Sequence, residues 1–283
     1  MGNVMTTKLN LTLGAIGLLA AGSVFGATTW VLNTGTVTVS SVSVTSTGWA
    51  DTGTNANQSG GPLQLQPASS NVVLYSGGLG INNLDGCSFG STCDVGDVQS
   101  TAPEHAIDNN QRYEMVLLSF SQAVNLTNVS FGWTGTSDYA SQGGDSDYTV
   151  MAFQGAAGNQ GLAAKTWSSL DSGWTLVGQY NDATDYENRS LNSVNSNGVA
   201  NSSAGVYSSF WLIGAYNPLV GGNMNWSLGN DYLKLASVTG TVCATGSAQC
   251  GGTTTKVSEP GYLALLGIGL LGMMRIRKSS PKG

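Results

Sequence analysis

Two short acidic segments carry the residues whose type and spacing could hold a metal ion. Asp145-Ser146-Asp147 follows Gly143-Gly144 and precedes an apolar stretch, and Asp94-Val95-Gly96-Asp97 is a second segment of this kind. Ca²⁺ takes several oxygen ligands from carboxylates and carbonyls on flexible loops. Neither segment has EF-hand spacing, and Asp and Gly are also ordinary turn formers. We expect one structural Ca²⁺ at Asp145 and Asp147, with a solvated turn as the alternative; no other cofactor is predicted.

Catalytic chemistry has few candidate residues. His105 is the only histidine, which excludes multi-histidine metal sites, although spacing alone does not exclude a Ser-His-Asp triad. Glycosidases need two facing carboxylates, and Glu104, Asp108 and Glu114 qualify by type only. Arg112 lies two residues before Glu114, so a structural ion pair is the simpler use of that strand. We expect a structural histidine and no enzymatic activity.

The amino-acid composition indicates which kind of secondary structure carries these candidate residues. Charged residues make up 9% of the chain and 40 residues are glycine, whereas an average soluble protein is about 25% charged. Abundant Ser, Thr, Asn and Gly with little charge favours short strands joined by polar loops over helices. The expected fold is an all-β, antiparallel β-sandwich of jelly-roll type, a single domain over residues 28–242.

Hydrophobic patterns divide this domain into strands and loops. A helical turn is predicted over residues 166–170, and residues 45–61, 76–110 and 181–205 are predicted to be loops. The predicted strands are residues 37–44, 72–75, 112–120, 128–134, 148–153, 173–180, 209–216 and 231–242.

The large aromatic residues fall into two predicted groups. Trp133, Trp211 and Tyr232 lie within strand patterns and are expected in the core. A second group is expected at strand ends or in loops, where a ring could stack on a sugar; it comprises Trp49, Trp167, Trp174 and Trp226.

The four cysteines form two local pairs in the sequence. Cys87 and Cys93 enclose one Gly/Ser loop, and Cys243 and Cys250 enclose another. Exported chains meet oxidising conditions, so we expect two local disulfides. Other pairings remain open. A four-cysteine zinc site is an alternative, although its usual ligand spacings are shorter.

The N-terminal segment has the order of a secretory signal peptide. Lys8 precedes an apolar stretch over residues 9–21, and the small residues Gly22, Ser23, Gly26 and Ala27 follow. We expect a signal helix over residues 1–27, passed to the Sec export machinery and cleaved after Gly26 or Ala27. A permanent membrane anchor is the alternative, but the apolar stretch is short for one.

The C-terminal segment combines a polar motif, an apolar run and a basic end. Val257-Ser258-Glu259-Pro260 precedes the uncharged residues 262–274, and Arg275, Arg277 and Lys278 follow. As a helix, the 14 residues from Gly261 to Met274 span roughly 21 Å, which is short for a bilayer core of about 30 Å. The basic residues can reach the headgroups and favour the cytoplasmic side. We expect a transmembrane helix here, with a buried C-terminal helix of the globular domain as the alternative.

This C-terminal arrangement resembles the PEP-CTERM sorting signal of Gram-negative bacteria, which the membrane protease exosortase reads. Glu259-Pro260 matches the centre of that motif, while Ser258 stands where proline is commoner. The resemblance implies that residues 257–280 are a sorting signal and residues 243–256 a tether. It also implies export through an inner-membrane intermediate, cleavage near the motif, and delivery to the cell surface or extracellular matrix.

The body of the chain, over about residues 70–242, is similar to exosortase-dependent surface proteins. The phrases that carry the resemblance include His105-Ala106-Ile107-Asp108-Asn109, Asp145-Ser146-Asp147-Tyr148-Thr149-Val150, Phe210-Trp211-Leu212-Ile213-Gly214 and Asp231-Tyr232-Leu233-Lys234-Leu235. The resemblance brings no catalytic residues with it.

Net charge narrows the class of partner. Without the two terminal signals, five Lys and Arg residues and fifteen Asp and Glu residues remain, a net charge near −10. Such a chain repels nucleic acid and anionic membrane surfaces. It suits divalent cations or a neutral extracellular polysaccharide. The predicted function is a non-enzymatic surface, matrix or adhesion role; a carbohydrate-binding module and a secreted hydrolase are the alternatives.

Overall fold

Antiparallel strands make up the fold. The computed structural model describes residues 26–51, 66–67, 72–82, 105–110, 112–138, 144–156 and 158–244. In these ranges the chain is all-β, as predicted, with one four-residue α-helix, α1 (Gly135–Asp138), and two short 3₁₀ turns, Trp167–Ser169 and Pro218–Val220. The strands are β1 (Thr28–Val31), β2 (Val37–Val39), β3 (Val42–Ala50), β4 (Gln66–Pro67), β5 (Val72–Tyr75), β6 (Gly78–Ile81), β7 (Ile107–Asp108), β8 (Glu114–Thr134), β9 (Tyr148–Phe153), β10 (Trp174–Tyr180), β11 (Asn188–Ser190), β12 (Ser208–Ala215) and β13 (Tyr232–Val242).

The long strand β8 connects the sheet. Its first half pairs with β12 and β3, and its second half pairs with β13 and β11. The order across the described part of the sheet is β10-β9-β12-β8-β13-β6-β5. We predicted two strands here, residues 112–120 and 128–134, and the separation between them is wrong. Residues 121–127 contain neither Gly nor Pro, so nothing forces the chain to turn.

The main core lies against one face of β8. Val116, Leu118 and Phe120 alternate along the strand and join apolar side chains from β1, β3, β6, β9, β12 and β13 in one buried cluster. Trp30 stands edge-on to Phe120, with ring centroids 5.1 Å apart, and its indole Nε1 donates to the Val42 carbonyl at 3.0 Å. Over residues 116–120, a period of two therefore places every second side chain of β8 in this cluster.

A second apolar cluster covers the opposite face of the first half of β8. Met115 and Leu117 point into it and meet Trp167 and Trp174 from the segment around β10. Burial on both faces explains why this part of β8 is continuously apolar rather than alternating.

Several predicted strands are confirmed and several predicted loops are wrong. The prediction for residues 72–75 is confirmed as β5, that for 148–153 as β9, and the helical turn over 166–170 as the 3₁₀ turn Trp167–Ser169. The predicted loop 45–61 begins as strand, because β3 continues to Ala50. The predicted loops 76–110 and 181–205 contain short strands, β6 and β7 in the first and β11 in the second.

The two ends of the described body lie side by side. Thr28 of β1 pairs with Gly240 of β13 in an antiparallel ladder. Residue 26, where the description begins, and residue 244, where it ends, are therefore at the same end of the domain.

None of the helices in the described ranges is long and apolar enough to cross a membrane. The predicted signal helix and the predicted transmembrane helix over residues 262–274 lie outside those ranges, so both stay predictions.

Gly214 offers a test of packing at the centre of the sheet. A Cβ at this position would lie 2.1 Å from the Glu114 carbonyl oxygen, which is backbone and cannot move aside cheaply. We expect Gly214→Ala to lower the free energy of unfolding by about 1–3 kcal/mol, measured by urea denaturation. Gly161→Ala is the matched control, because nothing lies within 4 Å of its Cβ position; equal stabilities of the two variants would contradict the packing.

Candidate metal centre

Three carboxylates meet at one end of the sheet. Asp145 and Asp147 precede β9, and Asp231 directly precedes β13; one carboxylate oxygen from each lies within 4.8 Å of the others. The prediction thus named two members of a real cluster, and the third comes from a distant part of the sequence. Both predicted residues lie just before β9 and the third lies just before β13, although β12 and β8 separate these two strands in the sheet order.

Backbone pairing holds the cluster in place. Asp145 and Asp231 form an isolated parallel bridge, in which the Asp145 amide donates to the Asn230 carbonyl at 2.7 Å and the Tyr232 amide donates to the Asp145 carbonyl at 3.2 Å. The Asp147 amide donates to Asp231 Oδ1 at 2.8 Å. The approach of the carboxylates is therefore fixed by the sheet and not by flexible side chains.

Asn109 orients the buried member of the cluster. Its Nδ2 donates to Asp231 Oδ2 at 2.6 Å and to the Tyr216 carbonyl at 3.0 Å, while its Oδ1 accepts from the Asp231 amide at 3.1 Å. Asp231 is fully buried. One amide side chain therefore fixes both the backbone and the carboxylate of this residue.

A fourth acid, Asp182, lies beside the three. Its backbone amide donates to Asp147 Oδ1 at 2.9 Å. Burial raises the pKa of Asp145, and the nearby Asp182 carboxylate raises it further. A fourth acidic side chain therefore lies close to this cluster.

Burial makes charge on these groups expensive. The pKa of Asp147 is raised to about 7: desolvation is the largest cause, the hydrogen bond from the Asp182 amide opposes it, and the neighbouring Asp145 and Asp182 carboxylates add to it. Burial, followed by the charge of Asp147, raises the pKa of Asp231 well above its usual value. The ion pairs Lys165–Asp171 and Arg189–Glu187, both in the described ranges, use acids that do not belong to the cluster.

The cluster can therefore take up positive charge in two ways. It can bind protons, so that some carboxyl groups are neutral near neutral pH, or it can bind a divalent cation through the same oxygens. The oxygen-only donor set suits a hard cation such as Ca²⁺ rather than Zn²⁺. The residues that could hold the ion are Asp145, Asp147 and Asp231.

His105 is packed among other side chains. Its ring lies against Tyr75, with centroids 4.5 Å apart, and its Nε2 is 3.1 Å from Nζ of the buried Lys234. Lys234 Nζ also lies 4.4 Å from the centroid of the Trp133 ring. These contacts tie β5 and β13 together, which fits the predicted structural role.

Two of the three acids proposed for a glycosidase site are within the described ranges. Asp108 and Glu114 are both buried, and Glu114 Oε2 accepts from the Asp108 amide at 3.3 Å. Asp108 Oδ1 accepts from the Asn110 amide at 2.9 Å. Arg112 is also buried. Each carboxylate thus has a local backbone donor, which is ordinary structural use.

The tryptophans of the second group lie at strand ends or between strands, as predicted: Trp49 is next to last in β3, Trp174 begins β10, and Trp167 is in a 3₁₀ turn. Trp49 is half-buried against the second core cluster. Trp167 and Trp174 are buried in the second core cluster and do not offer a free ring face. Trp226 is half-buried against Tyr216, with ring centroids 5.2 Å apart. Of the rings expected in the core, Trp211 and Tyr232 are buried and Trp133 is half-buried.

Several predicted sites lie outside the described ranges, which leaves them as predictions. Cys243 lies one residue before the end of the described body and is not a free thiol, while its predicted partner Cys250 is outside. The other residues outside are Asp94, Asp97, Glu104, Cys87, Cys93, Val257, Ser258, Glu259, Pro260, Arg275, Arg277 and Lys278.

A nucleophile-elbow spacing was missed in the sequence. Gly86-Cys87-Ser88-Phe89-Gly90 matches Gly-x-Ser-x-Gly, although this segment also lies outside the described ranges. The motif works at a strand-to-helix turn of an α/β-hydrolase sheet. The described strands form an antiparallel sheet without crossover helices, so the context that gives the spacing its meaning is not found there.

No protein-family model matches the chain, and no curated protein or solved structure is significantly similar to it. Function must therefore be argued from the residues themselves.

Asp231 and Asn109 are the site residues that sequence reasoning missed. Asp231 lies 84 positions from Asp147 in the hydrogen bond that joins them, so no local spacing connects the two. The available signal was that Asp231 directly precedes a strong strand pattern, as Asp147 does.

The cluster should make stability depend on pH. Because the carboxyl pKa values are raised in the folded state, the folded protein binds more protons than the unfolded chain between about pH 4 and pH 7. Stability from these groups is present at low pH and is lost as the pH rises through about 7. In chelator, we expect the free energy of unfolding to be lower at pH 8 than at pH 5 by on the order of 1–4 kcal/mol.

Urea denaturation at both pH values measures this difference. Asp147→Asn should reduce it, whereas the control Asp171→Asn, which alters a surface ion pair with Lys165, should leave it unchanged. An equal pH dependence in the wild type and Asp147→Asn would contradict the assignment.

Proposed function

We propose that the chain is an exported, non-enzymatic protein of the bacterial cell surface or extracellular matrix, folded as a jelly-roll-type β-sandwich. The placement of the two ends of the body carries this proposal. β1 and β13 pair so that Thr28 lies beside Gly240, and both flanking segments join the body at one end. A body anchored by either segment would therefore present its opposite end outwards.

The carboxylate cluster lies at that opposite end. Asp231 precedes β13 and Cys243 follows it, so the cluster and the junction with the C-terminal segment are separated by the length of this strand, roughly 35 Å. A structural cation there would stiffen the outward end without approaching the membrane. This arrangement supports a displayed module whose distal rim is held together by metal.

The two flanking segments supply the route. The N-terminal segment addresses the chain to Sec export, and residues 257–280 act as a PEP-CTERM-type signal for exosortase. The chain passes through an inner-membrane intermediate and reaches the surface or a polysaccharide-rich matrix after cleavage. The composition of the body, poor in charge and rich in Ser, Thr and Gly, suits contact with neutral polymer.

A structural role accounts for the buried polar groups better than catalysis does. His105 is engaged with Tyr75 and Lys234, and the Asp108 and Glu114 carboxylates accept local backbone amides. Carbohydrate binding gains no support from Trp167 and Trp174, whose rings are buried. The displayed structural module is therefore the better account of the described side chains.

The sorting proposal is tested by changing the motif in the native bacterium. Glu259→Ala with Pro260→Ala should leave the protein uncut in the inner membrane, because the protease would no longer recognise the motif. Cell fractionation and the mass of the C-terminal peptide measure this outcome.

The matched control is Thr253→Ala with Thr254→Ala, which changes two tether residues and leaves the motif intact. The control should be released like the wild type. Equal release of the motif variant and the wild type would show that this motif does not direct processing.

The calcium proposal is tested on the mature protein by thermal unfolding. Ligand at 100 times its dissociation constant stabilises the folded state by about 2.7 kcal/mol, so Ca²⁺ should raise Tm by about 5–10 °C. Because the ion displaces protons, the shift should be larger at pH 8 than at pH 5.5. Asp147→Asn should remove the shift and Asp171→Asn should keep it; a melting curve that is the same with Ca²⁺ and with chelator would end the proposal.

A further inference from the structure

Strand β10 is an edge of the described sheet. It pairs with β9 on one side, and no other strand in the described ranges pairs with its second side. Edge strands expose unpaired N–H and C=O groups, which can pair with the edge of another chain. Whether another chain can pair with β10 therefore depends on what hydrogen-bonds the backbone N–H and C=O groups on its second side.

Asn201 takes the place of a neighbouring strand at Gln179. The Gln179 amide donates to Asn201 Oδ1 at 3.3 Å, and Asn201 Nδ2 donates to the Gln179 carbonyl at 2.7 Å. A primary amide carries the same donor and acceptor as a peptide group. One side chain thus reproduces the pair of hydrogen bonds that a strand residue would make.

The segment around Asn201 forms a small hairpin, residues 193–201, which we call the edge clamp. Two backbone hydrogen bonds join its arms: the Asn195 N–H donates to the Val199 carbonyl at 3.0 Å, and the Asn201 N–H donates to the Ser193 carbonyl at 2.8 Å. Asn195 Nδ2 also donates to the Gln179 carbonyl at 3.1 Å. Asn195 and Asn201 are both buried, although the sequence predicted a surface loop here.

The clamp is fixed on both sides. Towards β10, the Ser196 amide donates to Asn181 Oδ1 at 2.8 Å. On the other side, Asn197 Nδ2 donates to the Met224 carbonyl at 2.7 Å, and Trp226 Nε1 donates to Asn197 Oδ1 at 3.0 Å. Its position against β10 thus has support beyond the contacts at Gln179.

The strand is shaped to receive the clamp. A Cβ on Gly178 would lie 2.6 Å from Cγ of Asn201, so a residue with a side chain would push the amide away. The ladder between β10 and β9 also has an irregularity between Leu176 and Gly178, and bulges are one way in which sheet edges are protected.

We propose that the edge clamp closes β10 against a second copy of this chain. With the clamp displaced, β10 would pair with β10 of another molecule, antiparallel about a two-fold axis. Identical antiparallel edges offer each other the same row of donors and acceptors, so this contact is self-complementary. The clamp therefore keeps the displayed domain monomeric.

The test is Asn195→Ala with Asn201→Ala in the mature protein, compared with the wild type by sedimentation at a series of concentrations. The wild type should stay monomeric. The clamp variant should form a dimer, with its dissociation constant lowered by at least about tenfold, because its unpaired edge groups recover hydrogen bonds in the dimer. Gly178→Ala should act in the same direction from the strand side.

Two further variants distinguish pairing through the β10 edge from non-specific association. Asn159→Ala removes an exposed asparagine far along the chain from the clamp and should stay monomeric. Thr175 is an exposed residue of β10; Thr175→Lys, added to the clamp variant, should restore the monomer, because an edge lysine opposes strand addition.

Association that persists with Thr175→Lys, or a folded clamp variant that stays monomeric, would overturn the proposal. So would a wild type that already dimerises. If the double variant lost its cooperative melting transition, Asn201→Asp would replace it, since it keeps the acceptor for the Gln179 amide and removes the donor to the Gln179 carbonyl. A monomeric Asn201→Asp protein would then decide against the clamp.

Discussion

The hydrogen bonding of β8 on both flanks is the constraint on which the rest of the structure depends. This strand must find partners for its backbone over 21 residues, and no single neighbour is long enough to supply them. β12 and β3 serve its first half, and β13 and β11 its second. Because β9 and β10 are reached only through β12, and β6 and β5 only through β13, their positions follow from β8.

The carboxylate cluster depends on a backbone bridge between the segments that precede β9 and β13. Asp145 and Asp231 meet in this bridge although β12 and β8 separate β9 from β13 in the sheet order. Fixed backbone pairing then holds Asp147 and Asp231 where burial and mutual repulsion raise their pKa values. Hydrogen bonds offset part of the cost of this burial: Asn109 Nδ2 donates to the Asp231 carboxylate, and the Asp182 amide donates to the Asp147 carboxylate. A proton or a cation can then bind the remaining carboxylate oxygens.

Periodicity predicted the strands whose side chains are sorted by the core, such as β5, β9 and β13, because burial fixes their pattern. It failed where polar side chains satisfy the backbone. The Asn- and Ser-rich segment 181–205 was predicted to be a surface loop, yet Asn195 and Asn201 are buried against a strand edge. Asp145 and Asp147 could be found from local chemistry. Asp231 could not, because its proximity to them depends on a bridge between segments far apart in the sequence.

The pairing of Thr28 with Gly240 also sets how the domain responds to mechanical force. Hydrogen bonds in an antiparallel pair run perpendicular to the strands. Tension that separates residue 28 from residue 240 therefore acts along those hydrogen bonds and breaks them one after another. Tension between residue 28 and the far end of β13 would instead shear several bonds at once. For a molecule held at its ends, resistance to pulling is thus a matter of direction.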